Sequence, residues 1–275
     1  MPKTVVILCV SSDIGSFLAK QYSARGWRVI GTYRQAGHLA GVKPSVTDLF
    51  KVDLTQPRQI KNFIAHLKRR KLHWDRLICL SGSLVPAQDF FECDFDQWQE
   101  SVMVNALGPL RVAHGLYPLG QKGARVVFFA GGAANGAVVH MSAYAISKIM
   151  LTKMTEFIDA EYPHLHVSII GPGWTMTKIH QQILGNQKTD RQKRLQTKQD
   201  MKHKPSTRLE DIDACVEWVC SQPKKLTSGR NFSVVYDPWR PAQRAKLASA
   251  LSKDVNMYKL RRCNNDFLQR TGFPE

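Results

Sequence analysis

Acidic side chains are scarce in this chain of 275 residues: 22 Asp and Glu stand against 39 Lys and Arg, a formal net charge of +17. Such an imbalance draws anions to a surface and says nothing of fold. Long apolar runs are missing as well. None approaches the ~20 residues of a membrane-spanning helix, so no membrane span is expected. The apolar start Thr4–Val10 has no small-residue cleavage site and runs straight into Ser11-Ser12-Asp13-Ile14-Gly15, so it reads as a buried strand rather than a signal peptide. Cysteine is sparse: positions 9, 79, 93, 215, 220 and 263, without C-x-x-C or metal-ligand spacing. That pattern excludes a disulfide framework or a zinc site as first readings and fits free thiols in a reducing cytoplasm. No internal repeat is visible. What the chain does have is 43% hydrophobic residues, enough to bury a sizeable core.

Strand-like and helix-like stretches alternate along it. Strands are expected at Thr4–Val10, Arg28–Tyr33, Asp48–Val52, Arg76–Leu80, Arg125–Ala130, His166–Ile170 and Asn231–Tyr236. Helices are expected at Ile14–Arg25, Pro57–Arg70, Phe95–Leu119 (bent near Gly108-Pro109), Met141–Glu161 and Glu210–Cys220. Such alternation implies right-handed crossovers and an α/β fold, a parallel sheet with helices on both faces. After Asp237, Pro238-Trp239-Arg240-Pro241 reads as a stiff turn into a short helix at Ala242–Leu251, so residues 1–237 form the domain and 238–275 a C-terminal extension.

The most informative segment is Ser142-Ala143-Tyr144-Ala145-Ile146-Ser147-Lys148. Residues i and i+4 share a helix face, so the Tyr144 phenol and the Lys148 ammonium can enter one pocket. A nearby cation stabilises a phenolate and eases proton exchange with a carbonyl or alcohol oxygen. Taken singly, Tyr144 could equally pack at a subunit contact, and Lys148 could be a solvated charge. At the turn after the first strand, Ser11-Ser12-Asp13-Ile14-Gly15 is small enough for close approach of a pyrophosphate to a helix N-terminus. It serves equally as a capped helix start, with Ser11 or Ser12 as N-cap. Positive charge is concentrated at Lys188–Arg208, in Lys68-Arg69-Arg70-Lys71, and at Lys259, Arg261 and Arg262. These are either solvated faces or surfaces that attract an anion.

In order and separation these segments resemble the short-chain dehydrogenase/reductase family over about Thr4 to Asp237. The resemblance implies a Rossmann-type doubly wound sheet that binds a nicotinamide dinucleotide. Ser11, Ser12, Ile14 and Gly15 match the glycine-rich turn, with Cys9 and Asp13 where glycines are usual. Asp53 and Leu54, before Thr55, resemble the motif that meets adenine. Cys79-Leu80-Ser81-Gly82 keeps only the glycine, Gly82, of the Asn-Asn-Ala-Gly segment. Asn105, in Val104–Gly108, matches the asparagine that supports a proton-relay water through a helix distortion. Tyr144 and Lys148 match the catalytic pair, with Lys148 lowering the tyrosine pKa and bonding the nicotinamide ribose. Pro172, Gly173, Thr175 and Thr177 lie in the loop that meets nicotinamide and pyrophosphate.

The family's catalytic serine is missing: Phe129-Ala130-Gly131-Gly132-Ala133 places Gly131 there. Loss of one donor at a developing oxyanion typically costs ~10²–10³ in rate. Ser142, at i and i+2 to Tyr144, faces another side of the helix and is not expected to replace it. The glycine-rich segment, Phe232–Trp239 and Tyr258–Arg262 also resemble a bacterial branch associated with surface-sugar biosynthesis. With no acid at Gly31-Thr32-Tyr33-Arg34, the end of the second strand favours NADP(H) over NAD(H), Arg34 pairing with a 2′-phosphate beside Tyr33. The basic stretch falls in the family's substrate lid, about 176–208, and suggests an anionic substrate. Members commonly pair through the helices at 95–119 and 141–161, implying a homodimer or homotetramer. The leading expectation is therefore an NADP(H)-dependent carbonyl/alcohol oxidoreductase without a metal. The alternatives are a nucleotide-binding regulator or scaffold with impaired turnover, or a nucleic-acid-binding protein, for which no recognition motif accounts for the charge.

Overall fold

The computed structural model describes residues 2–132 and 136–261; Ala133, Arg262 and Cys263 lie outside the described residues. Seven strands form one parallel sheet: β1 (Thr4–Leu8), β2 (Arg28–Tyr33), β3 (Asp48–Lys51), β4 (Trp74–Cys79), β5 (Gly120–Phe129), β6 (His166–Gly171) and β7 (Asn231–Ser233), in the order β3-β2-β1-β4-β5-β6-β7. The chain reverses its direction of winding at β1, between β2 and β4. That topological switch leaves a crevice beyond the carboxyl ends of the strands.

Every residue of β1 is buried, because neighbouring side chains alternate between two covered faces. Val5 and Ile7 join a core with α1 (Asp13–Ala24) and α8 (Leu209–Ser221), whereas Val6 and Leu8 join one with α2 (Pro57–Arg69), α4 (Gly108–Leu116) and α5 (Ser142–Glu161). In α2, Ile60, Phe63 and Leu67 recur at helical spacing on the buried side, while Pro57 occupies the first turn, where its missing N–H costs nothing. Ser147, Thr152 and Thr155, all buried in α5, donate to the carbonyls of Ala143, Lys148 and Leu151, so this long helix carries polar side chains inward with their hydrogen bonds made.

Four expectations needed adjustment. The helix expected at Phe95–Leu119 is divided: α3 (Phe95–Val102) passes through a π-helical turn at Met103–Leu107 before α4 begins. The bend therefore precedes Gly108-Pro109. The last strand stops at Ser233 because Asp237 accepts the Ser233 N–H at 2.6 Å and the Ser233 hydroxyl accepts the N–H groups of Val235 and Tyr236, closing a turn. The lid expected at about 176–208 holds two helices, α6 (Ile179–Gly185) before the basic stretch and α7 (Arg191–His203) within it, the latter capped by Asp190, which accepts from Lys193 N. Finally, the extension expected after Asp237 packs on the domain over its described residues, 238–261. Trp239 and, in the helix Arg244–Lys253, Leu247 and Leu251 belong to the α1/α8 core. Arg230 donates to the carbonyls of Leu251, Asp254 and Met257.

At the opposite sheet end, His166 is buried with Arg125 against Nδ1 and the Thr227 hydroxyl 2.9 Å from Nε2. The Thr227 hydroxyl donates to Val219 O, so it accepts from a protonated Nε2, and Nδ1 accepts from the guanidinium. This neutral tautomer is complete. Burial first, then the Arg125 charge, push the imidazole down to about 3. An unfolded chain takes up this proton near the ordinary 6.5 while the folded one does not, so stability is present above that value and is lost as pH falls from 6.5 towards 3. Urea unfolding between pH 4 and 7 is expected to show this as up to about 1.4 kcal/mol per pH unit, with His166→Gln flattening the dependence.

Candidate active site

A cleft of about 1570 Å³ opens beyond the strand ends. Its wall contains Ser11, Ser12, Ile14, Arg34, Asp53, Leu54, Gly82, Tyr144, Lys148, Pro172, Gly173, Thr175 and Thr177. Gly15, Tyr33 and Asn105 stand behind that wall rather than in it. A Cβ on Gly15 would come within 2.4 Å of the Cys9 carbonyl oxygen, so its glycine serves the tightness of the turn. Cys9 itself takes a left-handed conformation (φ 65°) where an L side chain is disfavoured, and its N–H donates to the Thr32 hydroxyl. Ser12 caps α1 by accepting from Gly15 N at 3.0 Å. Capping and a ligand-facing turn thus coexist.

Asn105 is fully buried in the π-helical turn. Its carboxamide oxygen accepts the Ser83 N–H, and its nitrogen donates to Ser83 O and Ser101 Oγ, at 2.8, 2.9 and 3.0 Å. Both amide hydrogens are committed, so the side chain clamps the loop after β4 to the distorted helix. Asp53 accepts from both the backbone and the hydroxyl of Thr55 through one oxygen, leaving the other oxygen without a hydrogen bond among the described residues.

Lys148 crosses from α5 to the end of β4, where its ammonium donates to Ser81 O at 2.9 Å. Burial pushes it down to about 8. The ammonium stands 5.6 Å from the centre of the Tyr144 ring. The phenol is pushed up to about 12 by burial alone. This corrects the expectation that Lys148 lowers it: in this arrangement the cost of dehydrating a phenolate dominates.

The missing serine has a structural counterpart. A Cβ on Gly131 would lie 2.6, 2.8 and 2.9 Å from Cε1, Oη and Cζ of Tyr144. The tyrosine ring therefore covers the space a serine side chain would need. Ser142 offers no replacement, because its hydroxyl accepts the Trp98 indole N–H at 3.0 Å, and it is not part of the cleft wall. Beside Tyr144 lies a small apolar group of Leu84, Ala87, Met141, Ile179 and Ile183. Trp174 and His180 stack farther along, 5.3 Å apart. Sequence reasoning missed α6, which brings Ile179, His180 and Ile183 to the cleft, because at seven residues, between the Pro172–Thr177 loop and the basic stretch, it is too short to show a helical period. Of the eight cations counted in the basic stretch, Lys193, Lys204 and Arg208 reach the cleft wall. Lys188, Arg191, Lys198 and Lys202 are exposed outside it, and Arg194 donates to the carbonyls of Asn186 and Gln187.

A parallel sheet with its switch-point crevice, a helix N-terminus at the first turn and the half-buried Tyr144 near the buried Lys148 form an arrangement suited to a dinucleotide. The chain belongs to the short-chain dehydrogenase/reductase family: a family model described as enoyl-(acyl carrier protein) reductase matches residues 10–235. It is 26% identical to a serine 3-dehydrogenase of Rhizobium radiobacter, covering 82% of this chain and 91% of that protein. It is 24% identical to an NAD-dependent glycerol dehydrogenase of Listeria innocua, covering 84% and 92%. A short-chain dehydrogenase/reductase structure from Saccharomyces cerevisiae superposes with a TM-score of 0.74 at 20% identity, covering 86% and 97% of the two chains. The structure of BdcA with NADPH gives 0.68 at 18%, covering 84% and 92%. These structures share the fold. Among the described residues, no helix is long and apolar enough to cross a membrane, and no group of His, Cys, Asp or Glu could hold a metal.

The Tyr144–Gly131 contact gives a direct test. Gly131→Ala is expected to destabilise the fold by about 1–3 kcal/mol through overpacking, measured by chemical denaturation. Introduced on a Tyr144→Ala background, the same change is expected to cost markedly less.

Proposed function

We propose that this protein is an NADP(H)-dependent carbonyl/alcohol oxidoreductase in which Tyr144 exchanges the proton at the substrate oxygen. The observation that carries the reading is the convergence of Tyr144 and the buried Lys148 ammonium on a cleft that also contains the first-strand turn, Arg34 and Asp53. When bound there, the nicotinamide dinucleotide supplies or accepts the hydride. Ser11, Ser12 and the N-terminus of α1 would receive its pyrophosphate, and Asp53 and Leu54 its adenine. Pro172, Gly173, Thr175 and Thr177 would border its nicotinamide end. Arg34 reaches the cleft wall from the end of β2, which carries no carboxylate, and so suits a 2′-phosphate.

Tyr144 holds its proton across the neutral range, which suits it as the acid in carbonyl reduction. Lys148 would hold the nicotinamide ribose and keep a positive charge near the developing oxyanion. Because both Asn105 amide hydrogens are engaged, any relay water would have to be held by its main-chain carbonyl. The apolar group beside Tyr144 suits an unpolar or weakly polar part of the substrate near the reacting carbon. Lys193, Lys204 and Arg208 suit an anionic part farther out. Exposed Leu107, Tyr117, Ile146, Phe157 and Tyr162 on and around α4 and α5 support pairing of copies through those helices.

Nicotinamide fluorescence titration is expected to show NADPH binding, with Arg34→Ala losing about tenfold or more for NADPH and little for NADH. Equal loss for both would remove the 2′-phosphate assignment. In a carbonyl-reduction assay, Tyr144→Phe is expected to lower turnover at least a hundredfold while leaving cofactor binding intact. Lys148 is charged below about 8 and loses its proton above it, so reductive kcat/KM is expected to decline as pH rises through about 8. A flat profile to pH 10 would show that this charge is not used.

A further inference from the structure

We propose that Asp13 and Lys178 form a clasp that roots the substrate lid on the first-strand turn and allows a turn bearing a carboxylate to accept a pyrophosphate. The inference rests on the dinucleotide reading above and extends it to two residues that the sequence motifs did not assign.

Asp13 is the first residue of α1, on the turn that would receive the pyrophosphate. A bare carboxylate there would compete with a diphosphate for the positive end of the helix and repel it directly. The structure shows how the charge is answered. Asp13 Oδ2 accepts the Lys178 backbone N–H at 2.7 Å. The Lys178 ammonium lies 3.3 Å from Asp13 Oδ1 and donates to Ser11 O at 3.2 Å. Lys178 comes from 165 residues farther along the chain, in the loop after β6. An ammonium has three donors. One is used on Ser11 O and the charge lies against Asp13 Oδ1, so donor capacity is left for a phosphate on the same turn.

The same lysine is the residue that begins α6. From there α6 places Ile179 and Ile183 in the apolar wall near Tyr144, sets His180 against Trp174, and presents the Gln182 side-chain oxygen to Leu84 N at 3.0 Å. The clasp therefore joins the part of the cleft that would hold phosphates to the wall that would face substrate. Lys178 and Asp13 side chains keep 45% and 30% of their exposure, so the pair adds little to global stability and its removal leaves the fold intact. Asp13 is a positioning residue in this arrangement, and Lys178 a cofactor-contacting one.

The test is a double-substitution cycle read by NADPH fluorescence titration at low salt, with hydrogen exchange of residues 176–186 in the free protein as a second readout. Lys178→Ala leaves Asp13 unpaired and is expected to weaken NADPH binding about tenfold or more. Adding Asp13→Asn removes the repelling charge and is expected to recover about threefold or more of that loss, the direct phosphate contact of Lys178 remaining absent. A merely structural contact would not be rescued by a second loss. Asp13→Ala is expected to speed exchange at the Lys178 amide and the first turn of α6. Unchanged NADPH affinity in Lys178→Ala, or a double variant no tighter than Lys178→Ala, overturns the inference. If the native protein binds neither NADPH nor NADH, the dinucleotide reading fails and the clasp's phosphate role with it. If binding is intact while the cycle shows no rescue, the clasp alone fails.

Discussion

Covering both faces of a parallel sheet is the constraint on which the rest of this molecule depends. Once β1, β4, β5 and β6 are sealed between two helical layers, polar side chains can gather at low cost beyond the strand ends. There the chain places Lys148 on Ser81 O and Asn105 on Ser83. Each of these bonds fixes a segment as well as a side chain: α5 to the end of β4, and the π-helical turn to the loop that follows it. The cleft is shaped by satisfied hydrogen bonds, which is what gives a buried ammonium a defined place despite the cost of removing it from water.

Much of this was legible from residue pattern. β2 occupies the expected Arg28–Tyr33, and Tyr144 and Lys148 share the cleft-facing side of α5 because helical spacing leaves little alternative. The failures have physical causes. The strand pattern at Asn231–Tyr236 continued past Ser233, but side-chain hydrogen bonds from Ser233 and Asp237 captured the backbone first. The α7 helix hides its handle on the core in Thr197, which is buried, while Leu195 is half exposed; neither advertises an amphipathic helix. Trp239, Leu247 and Leu251 find their burial only against α8 and the sheet, a partner distant in sequence. The anomaly at Asp13 was visible in the sequence, but its answer, Lys178, was not, since the loop that carries Lys178 has no periodicity to place it.

The net charge divides along the lid. Lys193, Lys204 and Arg208 border the cleft, and the exposed cations at 188, 191, 198 and 202 point elsewhere. A charge run read as one feature is thus two. The inner group can bear on what enters the site. The outer group raises the potential around it and steers anions in a salt-dependent way, without selecting among them.

The contact between Tyr144 and the glycine at position 131 has a consequence for how this sequence can change. A serine could re-enter that position only if the tyrosine ring moved at the same time, because the Cβ and the ring claim the same volume. The two positions are therefore epistatic: a single-step reversion to the family pattern meets a packing penalty before any chemical benefit is available. With glycine at 131 and the Tyr144 ring packed over it, change at either position is tied to the other, and variation free of that packing conflict lies in the surrounding wall.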